Sequence, residues 1–310
     1  MASIQAIEQS SIKPSAHWNT TRYIYRKRRS KRQFCSGFMA VDYCKSQYMQ
    51  RMVGRLESVR QGRRDLLAGH MRQGVQTYGF ACISADYCLA PQANVTEIFE
   101  DVKACIDFIR NDLASHFEKD TLDVSRLAVS GSSAGGFLAL LTGLYVTPKP
   151  QVIIPIYPIT DPLGLFFTQP QPAPNRRYAA SKEEMAAFLD PKATSVASCG
   201  KVPDDPRSHM YVYMLRAANL AELWGVPDEQ SAQPYRISRN IHRYRLPPTY
   251  LLHGDADTAV GVEQSDEVAG TMLGCGMPVE YERPHGKDHF LDNSPDYQSE
   301  AMYSFMMRYL

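Results

Sequence analysis

No stretch of this 310-residue chain approaches the roughly 18 consecutive apolar residues that a membrane-spanning helix needs. The first twenty residues have neither a charged start nor a long apolar run, so no secretory signal is expected. Excess charge is also lacking, because 34 Lys and Arg residues face 33 Asp and Glu residues and leave a net charge of +1. A chain with this charge balance has no overall electrostatic attraction to nucleic acid or to a membrane surface. We therefore expect neither among the partners of the protein.

The seven cysteines form no C-x-x-C pair and show no metal-ligand spacing. Cys82 lies in the apolar segment 80–83, where a reduced thiol behaves as a small buried hydrophobic group. The cysteine pattern therefore predicts no metal site, no cofactor and a reducing compartment, which we take to be the cytoplasm. The oligomeric state is not indicated by the sequence.

From about residue 80 onward, short apolar runs alternate with amphipathic segments, as crossover connections in a mostly parallel sheet require. The strand candidates are 80–87, 127–130, 152–157, 248–252 and 279–281. The helix candidates are 65–78, 94–117, 134–145, 210–223, 262–273 and 297–309, with one more that opens in a capping box of Ser181 and Glu184. This order predicts an α/β fold with a mostly parallel central sheet flanked by helices.

Two regions interrupt that rhythm. Residues from about 160 to 245 are rich in Pro, Tyr and charge, which predicts a helical insertion within a domain covering 61–310. For residues 1–60 the sequence pattern does not determine a structure. Within them, 26–32 read RKRRSKR, six basic residues in seven. Such a run can be a nuclear-import signal or a polyanion-binding arm, but we expect a solvated segment.

The segment GSSAGG at 131–136 places a G-x-S-x-G pattern between an apolar strand and an apolar helix. That context predicts a nucleophile elbow, in which Ser133 sits on a strained strand-to-helix turn with its hydroxyl exposed. Small neighbours make such a turn sterically possible. The amide of Ala134, at the start of the helix, can donate to a developing oxyanion. The alternative interpretation is that 131–136 is an ordinary turn of small residues with no catalytic role.

A serine nucleophile needs a histidine base and an acid that fixes the tautomer of the histidine. Both follow in the expected order, because LHGDAD at 252–257 ends one strand and GKDHF at 286–290 follows the next. We choose Asp257 as the acid because it lies further into its loop than Asp255, which we expect to form the turn or cap a helix. We choose His289 as the base over His285, which lies closer to the strand end. For the remaining histidines, including His253, we expect surface or core positions.

The elbow, the segment DYCLAP at 86–91, the HGDAD turn and the GKDHF loop together resemble the hormone-sensitive-lipase-like branch of the α/β hydrolases, specifically its fungal esterase-like members. The resemblance covers roughly residues 64–310 and implies the α/β-hydrolase fold. It also implies that Ser133, Asp257 and His289 form a catalytic triad and that the insertion forms a cap over an acyl pocket. The implied substrate is a small-molecule ester.

One family motif is missing from the sequence. Members of this branch carry a His-Gly-Gly-Gly loop, whose amides complete the oxyanion hole, shortly before a segment like RDLL at 64–67. Residues 52–63 contain only Gly54 and Gly62, well separated, and no histidine. We expect the second oxyanion donor near Gly62. A missing donor costs roughly a hundred- to a thousandfold in turnover, so weak activity is one expectation.

The sequence thus predicts a serine hydrolase that cleaves a carboxylic ester through an acyl-enzyme. A thioesterase or a tailoring hydrolase of secondary metabolism is chemically equivalent, because the triad does not select the leaving group. The alternative outside the enzymes is a protein with the same fold that has impaired catalysis and binds a ligand.

Overall fold

The computed structural model describes residues 35–43, 68–117, 119, 121–174, 179–193, 207–294 and 296–310. A six-stranded sheet runs through these residues in the spatial order β2-β1-β3-β4-β5-β6. The strands are β1 (Cys35–Tyr43), β2 (Phe80–Tyr87), β3 (Leu122–Ser132), β4 (Val152–Ile156), β5 (Thr249–Leu252) and β6 (Val279–Glu282).

The directions of the strands confirm the expected fold class. Strands β3, β4, β5 and β6 pair in parallel. Strand β1 is antiparallel to both of its neighbours, β2 and β3, so these two run in the same direction. Five strands therefore end at one edge of the sheet, and the sheet is mostly parallel, as predicted. The sequence pattern does not predict β1.

Helices connect the strands and cover both faces of the sheet. They are α1 (Gly69–Tyr78), α2 (Val95–Asn111), α3 (Ala134–Tyr145), α4 (Leu165–Thr168), α5 (Lys182–Leu189), α6 (Ser208–Ala217), α7 (Leu220–Leu223), α8 (Glu229–Ala232), α9 (Ile237–Tyr244), α10 (Glu263–Gly274) and α11 (Glu300–Tyr309). Among them, α3 has the predicted bounds, and the predicted capping box of Ser181 and Glu184 opens α5. Within the described ranges, no helix has both the length and the apolar character that crossing a bilayer requires.

Four predicted helices differ from the structure by a break or by more than one residue at an end. The predicted helix 210–223 is wrong as a single element, because Ala218 takes a left-handed conformation at φ 53° and separates α6 from α7. The predicted helix 94–117 ends at Asn111 and continues as a 3₁₀ turn over Leu113–His116. The closing helix begins at Glu300, later than predicted. The predicted helix 65–78 ends at Tyr78 as predicted but begins only at Gly69, because its N-cap Ala68 has a non-helical backbone with φ −51° and ψ 139°.

Alternate residues of the central strands pack into two separate hydrophobic layers. Ile153 and Leu251 face the layer that contains α2 and α3, whereas Val152, Ile154 and Tyr250 face the layer that contains α11. Every residue of β4 and β5 is buried. Strands covered on both faces read as continuous apolar runs, which is why these segments show no polar alternation.

A buried ion pair joins the beginning of the predicted insertion to its end. Arg236 donates from Nε to Asp161 Oδ1 at 3.0 Å and from Nη2 to Asp161 Oδ2 at 2.7 Å. Two parallel bonds of this kind fix the relative orientation of the groups as well as their distance. The extent of the insertion, about 160–245, and the domain limits at 1–60 and 61–310 stay predictions.

Candidate active site

Three consecutive strands carry one residue each past their ends along the same edge of the sheet. The amides of these residues continue the ladder to the last carbonyl of the neighbouring strand: Ser133 N to Ile156 O at 2.9 Å, Tyr157 N to Leu252 O at 2.6 Å, and His253 N to Glu282 O at 3.0 Å. Ser133, Tyr157 and His253 therefore form a row at the carboxyl edge of the parallel strands. In open α/β sheets this edge is where ligands bind.

Ser133 occupies a strained turn between β3 and α3. Its φ of 55° and ψ of −118° lie in a region that non-glycine residues rarely adopt, at a cost of about 1–3 kcal/mol. The turn is tight enough that a Cβ on Gly131 would lie 2.3 Å from the backbone of Gly135. A Cβ on Gly136 would lie 2.9 Å from Pro158 Cβ. The small residues predicted for an elbow are thus required by its backbone contacts.

Ala134 is the first residue of α3, and Ser133 is its N-cap. The first amides of a helix have no carbonyl acceptor within the helix, and they carry the positive end of the helix dipole. The Ala134 amide is therefore suited to donate to an oxyanion formed next to Ser133. The second donor, predicted near Gly62, lies outside the described residues.

Asp257 and His289 come from the loops after β5 and β6 and meet in a hydrogen bond. His289 Nδ1 lies 2.7 Å from Asp257 Oδ2, and the side chains are 3% and 0% exposed, respectively. Because an ionised carboxylate only accepts hydrogen bonds, Nδ1 carries the proton. Nε2 of His289 is then left as the basic nitrogen.

The carboxylate of Asp257 is surrounded by donors. Oδ1 accepts the amides of Ala259 and Val260, each at 2.8 Å. Oδ2 faces two imidazoles, His289 Nδ1 at 2.7 Å and His253 Nε2 at 3.3 Å. Burial alone would raise the pKa of Asp257, but the N–H groups of His253, His289 and Val260 around the carboxylate hold it well below its usual range. Asp257 is therefore a stable buried anion.

The two residues considered as alternatives form a second Asp-His pair. His285 Nδ1 lies 2.9 Å from Asp255 Oδ2, with the His285 side chain 98% exposed. Asp255 Oδ1 also accepts the amide of Gly286. These hydrogen bonds lower the pKa of Asp255, that from His285 most strongly. Asp255 therefore holds the turn of the histidine loop, in keeping with the turn-forming role expected for it.

The acid loop and the histidine loop touch along their backbones. Ala256 N donates to Lys287 O at 3.1 Å, and a Cβ on Gly254 would lie 2.2 Å from the same oxygen. Asp288 Oδ1 accepts the amide of Thr258 at 2.7 Å and that of His289 at 2.7 Å. These contacts fix the position of one loop against the other, and with it the Asp257–His289 distance.

Two aromatic rings hold the imidazole of His289. The Tyr157 ring centroid lies 4.3 Å away at a tilt of 52°, and that of Phe290 lies 4.5 Å away in an edge contact. The Tyr157 hydroxyl donates to the buried carboxylate of Asp292. Burial, and then the negative charge of Asp292, raise the pKa of Tyr157 well above its usual range. Tyr157 is a neutral support because its hydroxyl keeps its proton.

Tyr157, His253, Asp288 and Asp292 were not predicted as parts of this site. The only sequence signal for Tyr157 is its place at the end of the predicted strand 152–157, and for His253 its place directly after the predicted strand 248–252. Asp288 and Asp292 flank His289 in sequence without any distinguishing pattern. Among the described residues, no group of three or more His, Cys, Asp or Glu side chains is placed to hold a metal ion.

The close approach at Gly254 predicts a stability effect. We expect Gly254→Ala to lower the free energy of unfolding by about 1–3 kcal/mol, because its Cβ would overlap the Lys287 carbonyl and force the loops apart. Gly270→Ala is the matched control, since a Cβ there meets nothing within 4 Å on α10, and alanine favours helix by up to about 1 kcal/mol. Urea unfolding of both variants measures the difference. Equal stability of Gly254→Ala and the wild type would contradict the steric argument.

Comparison with known families identifies the class of protein. A family model described as alpha/beta hydrolase fold matches residues 64–292. The chain therefore belongs to the α/β-hydrolase family, in the hormone-sensitive-lipase-like branch that its motifs indicate.

Individual relatives are more distant. The non-reducing polyketide synthase pkbA of Emericella nidulans is 27% identical over 275 residues, which cover 72% of this chain but only 11% of the synthase. The probable carboxylesterase clz11 of Cochliobolus lunatus is 25% identical over 193 residues, which cover 58% of this chain and 85% of that protein. A solved α/β hydrolase superfamily protein from Enterococcus faecalis shares the fold, with a TM-score of 0.58 and 20% identity over 78% of this chain and 83% of that chain.

Proposed function

We propose that the protein is a serine hydrolase that cleaves a small-molecule carboxylic ester through an acyl-enzyme on Ser133. The observation that carries the proposal is the buried Asp257–His289 hydrogen bond of 2.7 Å beside the edge where Ser133 occupies its strained turn. Asp257 orients the imidazole and stabilises its protonated form, and His289 is the general base. We also propose that the protein is located in the reducing cytoplasm. The insertion at about 160–245 is proposed to form a cap over the acyl pocket.

Acylation begins at Nε2 of His289, the ring nitrogen that carries no proton. Its Nε2 takes the proton of the Ser133 hydroxyl as Oγ forms a bond to the ester carbonyl carbon, and the carbonyl becomes an oxyanion. The Ala134 amide donates to that oxyanion, together with the second donor proposed near Gly62. The tetrahedral intermediate then breaks the bond to the alcohol oxygen, which receives the proton from Nε2 and leaves.

Deacylation repeats the same steps with water in place of the serine hydroxyl. His289 Nε2 removes a proton from water, which attacks the acyl carbon, and Ser133 Oγ leaves with the proton returned to it. The acid product and the free enzyme result. Asp257 stays ionised throughout, because its pKa lies well below its usual range.

A thioester is the second candidate substrate. The observation that favours it is the similarity to polyketide synthases, in which the region matching this chain is a small part of a much longer protein. The probable carboxylesterase among the relatives matches over most of its own length and favours the oxygen ester. The triad chemistry is the same for both, so only the leaving group separates the two candidates.

The test compares p-nitrophenyl esters of graded acyl length with thioesters of the same acyl groups. We expect turnover of the oxygen esters, with an initial burst of p-nitrophenol where deacylation is slower than acylation. Higher kcat/KM for thioesters across the series would assign the second candidate instead. Binding of an ester without turnover of either series would identify a ligand-binding protein and contradict the proposal.

A further inference from the structure

His253 is a completely buried histidine directly after β5, in the same row as Ser133 and Tyr157. A buried imidazole needs partners for both ring nitrogens, since an unsatisfied polar group in the interior destabilises the fold. Nδ1 of His253 lies 2.8 Å from the Ser265 hydroxyl on α10. Nε2 lies 3.0 Å from the Val260 carbonyl and 3.3 Å from Asp257 Oδ2.

These partners determine the tautomer of His253. The Val260 carbonyl and the Asp257 carboxylate can only accept, so Nε2 carries the proton. It donates to the Val260 carbonyl at 3.0 Å, and the same N–H lies beside Asp257 Oδ2 at 3.3 Å. In the neutral ring, the Ser265 hydroxyl then donates to Nδ1. With Ser265 completely buried as well, the ring is held on both sides without contact to water.

We propose that His253 is a positioning residue for the catalytic triad, which holds the Asp257 carboxylate for His289 by placing its Nε2–H beside Oδ2 at 3.3 Å. The inference rests on the proposed function and extends it by one residue that contacts the acid. Contacts then run from Ser265 through His253 and Asp257 to His289. His253 Nε2 and His289 Nδ1 thus face the same carboxylate oxygen.

Sharing this oxygen has an electrostatic consequence. A donor on Oδ2 withdraws negative charge from the carboxylate and weakens its attraction for the protonated form of His289. The other groups that face His289 are Asp288, which accepts its amide, and Tyr157, whose hydroxyl donates to Asp292. These contacts do not involve His253, so a change in the acidic midpoint of the pH profile when His253 is replaced would report on the His253–Asp257 contact.

The experiment compares His253→Leu, which removes the donor, with His253→Gln, which can still place an N–H near Asp257. Asn240→Leu is the matched control, because the buried Asn240 lies on α9, which carries no triad residue, and donates to the carbonyls of Gln233 and Arg236 just before that helix. Each variant is labelled with a fluorophosphonate to count active sites, and kcat, KM and the pH profile of kcat/KM are measured per labelled site.

For His253→Leu we expect kcat per labelled site to fall roughly 10- to 100-fold with little change in KM, because the acid is no longer held in place. The acidic midpoint of kcat/KM should move up by roughly half a pH unit or more, because the protonated form of His289 persists to higher pH. His253→Gln should restore most of both quantities. Asn240→Leu should change neither quantity per site, whatever it does to stability.

A purely structural role gives a different result. It would reduce the number of labelled sites while leaving the midpoint and kcat per site equal to those of the wild type, and this outcome would overturn the proposal. If His253→Leu does not fold, Ser265→Ala replaces it, since losing the hydroxyl frees the ring and should shift the midpoint in the same direction. An unchanged midpoint and kcat in that variant would be equally decisive against the proposal.

Failure of the proposed function is distinguishable from failure of this inference. A wild type that no fluorophosphonate labels would refute the nucleophile and leave the tautomer of His253 to be measured separately. Long-range proton–nitrogen correlation spectra report that tautomer directly, and the signal missing from His253→Gln identifies the residue. A proton on Nδ1 rather than Nε2 would exclude donation to Asp257.

Discussion

Replacement of Ser133 by alanine is expected to lower kcat by at least about 10⁴-fold and to abolish fluorophosphonate labelling. The reason is that alanine has no oxygen to form the acyl-enzyme, whereas the rest of the site is unchanged. The neighbouring Ser132, the last residue of β3, offers a matched control. Ser132→Ala should still be labelled. Labelling of Ser133→Ala at the wild-type rate would exclude Ser133 as the nucleophile.

The Ser133→Ala variant should keep its stability. The strained φ of 55° belongs to the backbone of the turn and is equally unfavourable for alanine. We therefore expect the free energy of unfolding to change by no more than about 0.5 kcal/mol, as for substitutions that neither open a cavity nor break a buried bond. Comparing stability with activity separates a chemical role of Ser133 from a folding defect.

Replacement of Asp257 by asparagine is expected to lower kcat by about 10³- to 10⁴-fold. Its single acceptor oxygen cannot serve both the imidazoles and the amides of Ala259 and Val260, and an NH₂ group facing His289 favours the wrong tautomer. Asp255→Asn is the matched control, two residues earlier in the same loop and paired with the exposed His285. It should retain kcat within about threefold, since its partner is a surface residue. Steady-state kinetics of the two variants decide between the two Asp-His pairs. A larger loss in Asp255→Asn would exchange their roles.

The same substitution has an expected pH dependence. A carboxyl group with a lower pKa in the folded state than in the unfolded chain stabilises the fold fully above the unfolded value of about 3.9. That contribution is lost as the pH falls toward the folded value. Since the pKa of Asp257 lies well below its usual range, the stability difference between wild type and Asp257→Asn should shrink below about pH 4. Urea unfolding between pH 3 and pH 7 measures it.

The sequence predicts the parts of this fold that have strong periodicity. Strand β2 and helix α3 have the predicted bounds, because both are apolar segments bounded by glycine or by the elbow. The break at Ala218 was beyond prediction, because alanine rarely takes a positive φ and no glycine or proline marks the position. Strand β1 is held by pairing on both sides, which a local pattern does not encode.

Part of the candidate site could also be predicted from the sequence. Chain order and loop position select Asp257 and His289, and the structure brings these two side chains into contact. The supporting residues could not be selected in that way. Tyr157 contacts Asp292, 135 residues later in the chain. The partners of His253 lie within the next 12 residues, but the loop after β5 has to fold back to bring them to the ring. A single histidine or tyrosine after a strand has many possible environments, so only the assembled fold distinguishes them.

The helix behind Ser133 is buried over ten of its twelve residues. Backbone amides in such an element exchange their hydrogens with solvent only when the whole domain opens, unlike those of surface loops. The unfavourable turn at Ser133 therefore cannot relax by a local fluctuation, and its geometry lasts as long as the domain stays folded. Substitutions in helices that do not contact the turn should therefore leave the geometry at Ser133 unchanged for as long as the domain remains folded.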